Sequence, residues 1–591
     1  MSSMAALWLP SCRKETFDLL VSLWPTLDED DRRELGLALL TGPPSDLLDR
    51  FSDQAHRTER RDRMVFERLE LLGRVGIPAL PEELAAELRR LRELYENWQL
   101  ADGEQAHFSI WSESSWRRRL GNAVDLNGVL IDELLGRLGG AGQDADDMLS
   151  DWQDLARSNP EHVRTQLVLL DPEAHAPWAA QLWAYGLRGL REIAKQSGAQ
   201  GETLALLLRI PSPILDEPLV SAAAADVIEA ATEEAETSRF DGRFWEAFDR
   251  VATAVALDPN NADDATENGW VSLAINRSMG RIATALLNAL FAQRLTAGSG
   301  FSTDFNLRLT HLIGLGQRVH LPARVIFASR LSYLFAVAPE WTAKWLLPCF
   351  DWSDDTESSA AWDGFAWHPR IDPQLWQALK PHFLRIFTDQ RLHRFDDDTA
   401  RILAQLLVLV GVEFGLQETP RDVTRNAIRS MSGGTRAEVA AWIATYVEQS
   451  ASGGPAGHAD VDTVWDERIQ PWLKSMWPPE PSLRTPAASK RLATAAIATK
   501  RSFPAAVATL EPLLIPGAVG STVEKLASSD HPSQHPEASL RLLDLVASRD
   551  EPAYDYTALR TTLNRVREAS PDIVAQATYR NWDEFLRLRN V

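Results

Sequence analysis

Apolar residues in this chain recur three and four positions apart, and no stretch of strict apolar–polar alternation has any length. The first spacing puts side chains on one face of a helix, whereas the second would mark a half-buried strand. Helices are therefore expected almost throughout. The opening pattern predicts a helix over 14–24, a turn at Pro25, and a second helix after Asp28-Glu29-Asp30-Asp31, ending at Gly42-Pro43-Pro44. Acidic residues at a helix start complement the positive end of its dipole. Val65, Phe66, Leu69 and Leu72 then share a face, and 81–98 repeats the theme with Leu84, Leu88, Leu91, Leu94 and Tyr95 behind a proline at the first turn. Further helical patterns cover 177–195, 222–257 with a break near Asp241-Gly242, 270–295 and 305–319.

Two breaks punctuate the pattern. Gly139-Gly140-Ala141-Gly142, followed by Asp144, Asp146 and Asp147, reads as the first boundary, and Ser452-Gly453-Gly454-Pro455-Ala456-Gly457 as a linker. The expected organisation is an N-terminal helical subdomain over 1–143, a central one over 144–449, a linker or long loop at 450–462, and a C-terminal helical subdomain over 463–591. No fixed period of the kind that marks tetratricopeptide or ankyrin arrays is found. The expected fold is all-α, with irregularly stacked, solenoid-like helices.

Length supports the division, since 591 residues exceed what one core sustains, about 250–300 residues. The 61 basic residues against 83 acidic ones leave a formal charge of −22, a field that repels a phosphate backbone and disfavours nucleic acid as a partner. One basic strip, Arg57, Arg60, Arg61 and Arg63 beside His56, is a candidate nucleic-acid contact. Glu59 and Asp62 interrupt it, so a solvated, ion-paired helix face is the competing reading. Only Cys12 and Cys349 are present, which excludes a disulfide framework and fits a reducing cytoplasm. The apolar patch at 4–9 lacks a cationic flank and predicts no export signal. The run 325–338 contains Arg330 and Tyr333 and is too short to span a bilayer, so it predicts a buried helix and no membrane association.

Chemistry is sparse. Gly298-Ser299-Gly300-Phe301-Ser302-Thr303 lacks the lysine of a phosphate-cradling loop, and Gly314-Leu315-Gly316 lies in helical sequence with no strand before it. His531 and His535 are spaced for one helical face, but Pro532 and Pro536 point to a polar loop. His393 with Asp396 and Asp397 could hold a hard cation, or, with Asp398, could begin the helix entering 402–410. No activated nucleophile is evident, and neither catalysis nor a cofactor is expected. The densest unusual segment is 341–387, with ten tryptophans and phenylalanines. Crowded indoles form a packed helix corner or a recognition surface, the latter presenting Trp362, Trp367, His368 and Arg370 around Pro369.

In this segment Leu346-Leu347-Pro348-Cys349-Phe350-Asp351-Trp352, Ala361-Trp362-Asp363-Gly364-Phe365, Pro369-Arg370 and Leu375-Trp376 stand in succession. With Gly269-Trp270, Ala274-Ile275-Asn276 and Gly280-Arg281 upstream, and Trp465, Pro471, Trp472, Trp477, Phe503-Pro504-Ala505-Ala506 and His535-Pro536-Glu537 downstream, it resembles the helical region that follows SIR2-like domains in large bacterial antiphage defence proteins. The resemblance implies coupling of phage sensing to an NAD-consuming effector. The SIR2-like domain itself is absent, for there is neither a Rossmann glycine turn nor alternation of strands and helices, so the catalytic Asn and His of that family have no counterparts here. The resulting expectation is a non-catalytic, cytoplasmic scaffold or sensor. It would bind a phage component or an effector chain such as a SIR2-like NAD hydrolase, with self-association open, and Trp362, Trp367 and Arg370 would make contact. The alternatives are a metal-dependent hydrolase built on His393, Asp396 and Asp397, and a nucleic-acid sensor built on the arginine strip.

Overall fold

The computed structural model describes residues 8, 13–43, 54–76, 80–95, 126–140, 145–171, 178–196, 200–233, 240–263, 269–451, 460–518, 520–550 and 556–589. The chain is all-α: helices follow one another from Arg13 to Arg587, and the one isolated β-bridge among the described residues pairs Gly517 with Ala547. It divides into two compact units, 1–163 and 164–591.

In the first unit, helices Arg13–Leu23, Glu29–Thr41, Gln54–Leu72 and Glu82–Leu94 enclose one core. Trp8, Phe17 and Trp24 meet there with Val65, Phe66, Leu69, Leu84, Leu88 and Leu91, which are the stripes that the 3.6-residue period predicts. The acidic start works as expected, with the Asp28 carboxylate accepting the Asp31 amide at 2.8 Å. Leu94 departs from its stripe. It is the last residue of its helix and stands exposed.

The second unit is a row. Helix Trp178–Ala194 packs on Pro218–Ala230, that on Ser278–Ala292, that on Leu321–Ala328, and that on Asp355–Trp367. The succession continues through Asp397–Glu413, Gly433–Ala451, Pro486–Ala498, Pro536–Val546 and Tyr556–Ala569, each against the next. Shorter helices fill the flanks. Such a series of neighbours is solenoid-like, and its steps differ in length as the lack of a sequence period predicts.

Side-chain caps set many of the boundaries. Asp241 accepts the Phe244 amide at 2.9 Å, which restarts the helix after the predicted break. Close backbone crossing sets others: Gly364, midway along Asp355–Trp367, lies against the Val325 carbonyl, where any Cβ would collide. Gly314 has φ +45° and caps helix Thr303–Ile313, so Gly314-Leu315-Gly316 follows the helix and is not part of it.

Other departures have similarly local causes. The run 325–338 is two helices, Leu321–Ala328 and Leu331–Val337, broken at Ser329-Arg330, and 270–295 is likewise two, Gly269–Asn276 and Ser278–Ala292. His531 is in a four-residue helix, not a polar loop. Its ring is buried, stacks on Phe503 at 3.9 Å and bonds the Ile497 carbonyl at 2.8 Å. The expected break at Ala141-Gly142 and most of the expected linker, 452–459, lie outside the described residues. On either side of the latter, Gly433–Ala451 and Pro486–Ala498 run along each other, so residues 463–591 share one compact unit with the central helices. Asp462 adds a tie there: its carboxylate accepts the amides of Lys500, Arg501 and Ser502 at 2.8, 3.0 and 3.1 Å, which hold its pKa below the usual range against the opposing effect of burial.

Candidate partner interface

Most aromatics of 341–387 are interior pillars. Trp341 donates to Thr310 Oγ1 at 3.0 Å, Trp352 to the His382 carbonyl at 2.9 Å, and Trp376 to Glu418 at 2.9 Å. Trp362 is 0% exposed, edge-on to Phe350 with centroids 4.8 Å apart, so it has no face to offer a partner. Its place among the contact candidates is corrected: it belongs to the core, and its indole N–H has no acceptor among the described residues.

The chain then leaves that core. Helix Asp355–Trp367 ends where the His368 backbone leaves the helical region ahead of the proline at 369, and the next helix begins at Pro373 with Asp372 capping Gln374 and Leu375. The corner between them is open. Trp367 is 43% exposed and lies parallel to the His368 imidazole, with centroids 5.0 Å apart and an interplanar angle of 20°. It is the one tryptophan among those described to stand in the open. His368 and Arg370 are exposed beside it, with the Arg370 amide turned back to the His368 carbonyl at 2.8 Å.

Arg330 reaches the same corner from the break between Leu321–Ala328 and Leu331–Val337. Burial, then the fields of Arg330 and Arg370, hold the His368 pKa below its ordinary value, and burial with Arg370 lowers that of Arg330. No carboxylate among the described residues pairs with either arginine. Trp367, His368 and Arg370 are thus brought together as the sequence suggests, while Arg330 is missed by sequence reasoning. Its one signal is a charge inside the apolar run 325–338.

The two alternative sets fare differently. Asp396 caps helix Asp397–Glu413, accepting the Thr399 amide at 2.7 Å, as the capping reading predicts. Asp397 is exposed in the first turn, and His393 is exposed with Nδ1 on the Gln390 carbonyl. Among the described residues no group of three His, Cys, Asp or Glu side chains is placed to hold a metal. The carboxylate closest in role to Asp396 is Asp363, which sequence reasoning missed as a tie: it accepts the Trp270 and Val271 amides at 2.8 and 3.1 Å and the Thr399 hydroxyl at 2.6 Å. Burial raises its pKa against those bonds.

The arginine strip is neither a groove nor a solvated face. Arg63 is 7% exposed and donates to Glu67 at 3.1 Å, Asp62 and Arg68 are buried, and Arg61 donates to the Leu40 carbonyl at 2.6 Å. Arg57 is half-buried, and the side chain of Arg60 lies outside the described residues. The helix lies within the unit, and the charges of Arg61, Arg63 and Arg68 are met there by carbonyls and carboxylates. A shallow groove elsewhere runs between Gly242–Val255 and Thr303–Ile313, closed at one side by Arg308 bonded twice to Asp249 at 2.7 Å.

Fold and corner together define an all-α chain with an open cationic and aromatic surface. No family model matches this chain, and neither does any curated protein. Among solved structures, one described as a circular tandem repeat protein with novel repeat topology and enhanced subunit contact surfaces aligns over 99% of this chain and 95% of its own, at 14% identity and a TM-score of 0.13. A score that low does not show a shared arrangement of helices.

Proposed function

We propose that this chain is a non-catalytic helical scaffold or sensor of a bacterial antiphage defence system, working in the cytoplasm. In this reading it binds a phage component or an effector chain, such as a SIR2-like NAD hydrolase, through an exposed helical surface. The observation that carries the binding role is the corner itself: an indole left in the open while the other tryptophans of its segment are enclosed wholly or in part. Exposed tryptophan and arginine are the residue types that dominate binding hot spots. The defence context rests on the resemblance of the segments around Trp352, Trp362 and Trp376.

The test is phage plating on cells carrying this chain with its neighbouring genes. Wild type should restrict at least one phage of a broad panel, and the Trp367→Ala, Arg370→Ala double variant should lose most of that protection at unchanged protein level and far-UV helicity. Plating indifferent to deletion of the chain would end the defence reading. Plating indifferent to the double variant would end the role of this corner.

A further inference from the structure

We propose that the corner formed by Arg330, Trp367, His368 and Arg370 docks an acidic peptide segment of a protein partner, the guanidiniums taking its carboxylates and the indole the apolar side chain beside them. The inference rests on the binding role above and adds the chemistry of the partner. Three features point to it. Arg330 and Arg370 come from different elements, Arg370 lies close enough to disfavour the charge on Arg330, and neither has a carboxylate partner among the described residues. Elsewhere in the unit Arg308, Arg324 and Arg468 are each held by a carboxylate, and Arg250, Arg425 and Arg436 by backbone carbonyls. Like charges left together without a counter-ion weaken the fold, and an incoming anion relieves them.

The second feature is the aromatic platform, since Trp367 and His368 lie parallel and both are exposed. A flat apolar surface next to a guanidinium suits a carboxylate flanked by an apolar side chain. The third is the form of the site. Trp367, His368 and Arg370 stand on an open turn between two helices, which fits an extended segment laid across it, whereas small ligands are taken into concave sites that bury most of their surface. Two guanidiniums within a chain of charge −22 are also too few for a polynucleotide, whose binding draws on a stripe of cations along several phosphates.

A pH signature follows. The groups facing His368 are Arg330 from the interhelical break, Arg370 from its own segment, and the stacked Trp367; with its pKa held low, the imidazole is neutral near pH 7. A bound carboxylate favours the imidazolium, so binding takes up a proton and tightens as pH falls from neutrality toward the imidazole's lowered pKa.

The experiment uses the full chain and fluorescence anisotropy of fluorescein-labelled hexaglutamate in about 50 mM salt, where screening is modest. Labelled hexalysine and an oligothymidylate serve as the other arms. Hexaglutamate alone should bind, and the exposed Arg370→Glu should weaken it about tenfold or more, the loss expected when a charge-assisted pair becomes a repulsion. Arg330→Gln should weaken it in the same direction, and His368→Asn should keep the binding but flatten its pH dependence. No binding of hexaglutamate, binding that Arg370→Glu leaves intact at unchanged helicity, or preference for oligothymidylate would each overturn the proposal. Protection from phage that depends on Trp367 and Arg370 while hexaglutamate fails to bind would reject the peptide chemistry and leave the scaffold reading standing. Peptide binding with plating indifferent to those residues would reject the defence role of the corner instead.

Discussion

Two tryptophans five residues apart on one helix show how much a single position decides. Trp362 points into the unit against Phe350 and Phe383, whereas Trp367, at the last turn, stands 43% exposed. Their replacement by alanine should therefore separate. Trp362→Ala removes a filled volume from a close-packed interior and is expected to cost about 3–5 kcal/mol, while Trp367→Ala should stay within about 0.5 kcal/mol of wild type. Urea denaturation of the two variants measures both, and equal losses would mean that Trp367 is as structural as Trp362. Residue type and spacing alone do not make this distinction. The run of aromatics in 341–387 announces a core, but the one position that stands open lies about 140° around the helix from Trp362 and at its last residue, just before Pro369.

At the scale of elements, helices and their caps are legible because both depend on residues three or four apart. Asp28, Asp241 and Asp396 cap where the sequence places helix starts. Ties between elements are not legible, because nothing local marks them: Asp363 holds the first turn of Gly269–Asn276 from 93 residues away, and Asp462 holds 500–502 from about 40. The arginine strip misleads for the same reason, since the carbonyl that engages Arg61 lies on another helix. Charges between helices also respond to pH. Glu229, near the end of Pro218–Ala230, has its pKa pushed up to about 7 by burial and by Glu233, against the pull of Arg191 in the last turn of the neighbouring helix and of Lys195 just beyond it. A folded-state pKa above the unfolded one means that folding is favoured most at low pH, and that this contribution is lost as pH rises from the ordinary carboxylate range to about 7. Glu229→Gln escapes the loss. Its stability gain over wild type, read from urea denaturation, should grow between about pH 5 and about pH 8. A variant less stable than wild type at the higher pH would show that the attraction of Arg191 and Lys195 outweighs the cost of burial.

The whole molecule is two compact units in sequence, each with helices that bury their own apolar faces. Residues 164–591, expressed alone, should accordingly be helical and unfold cooperatively by circular dichroism. A fragment that aggregates or melts without a transition would show that 1–163 is needed to complete its core. The all-α class is plain from sequence periodicity, yet the unit boundary at 163/164 falls inside helix Pro160–Val168, where no glycine or proline cluster marks it. Composition marks where the helical pattern breaks, and compactness is decided by which helices touch.

The row of helices in the second unit has a mechanical consequence. When each rod rests on the one before and the one after, with shorter helices braced on its flanks, small changes of tilt at successive steps add up along the series. Helix Asp355–Trp367 is a middle step, and its crossing over Val325 is made without a side chain at Gly364. A load applied at its exposed end would therefore pivot about a near-bare backbone contact, and the later rods would swing with it like the far end of a lever.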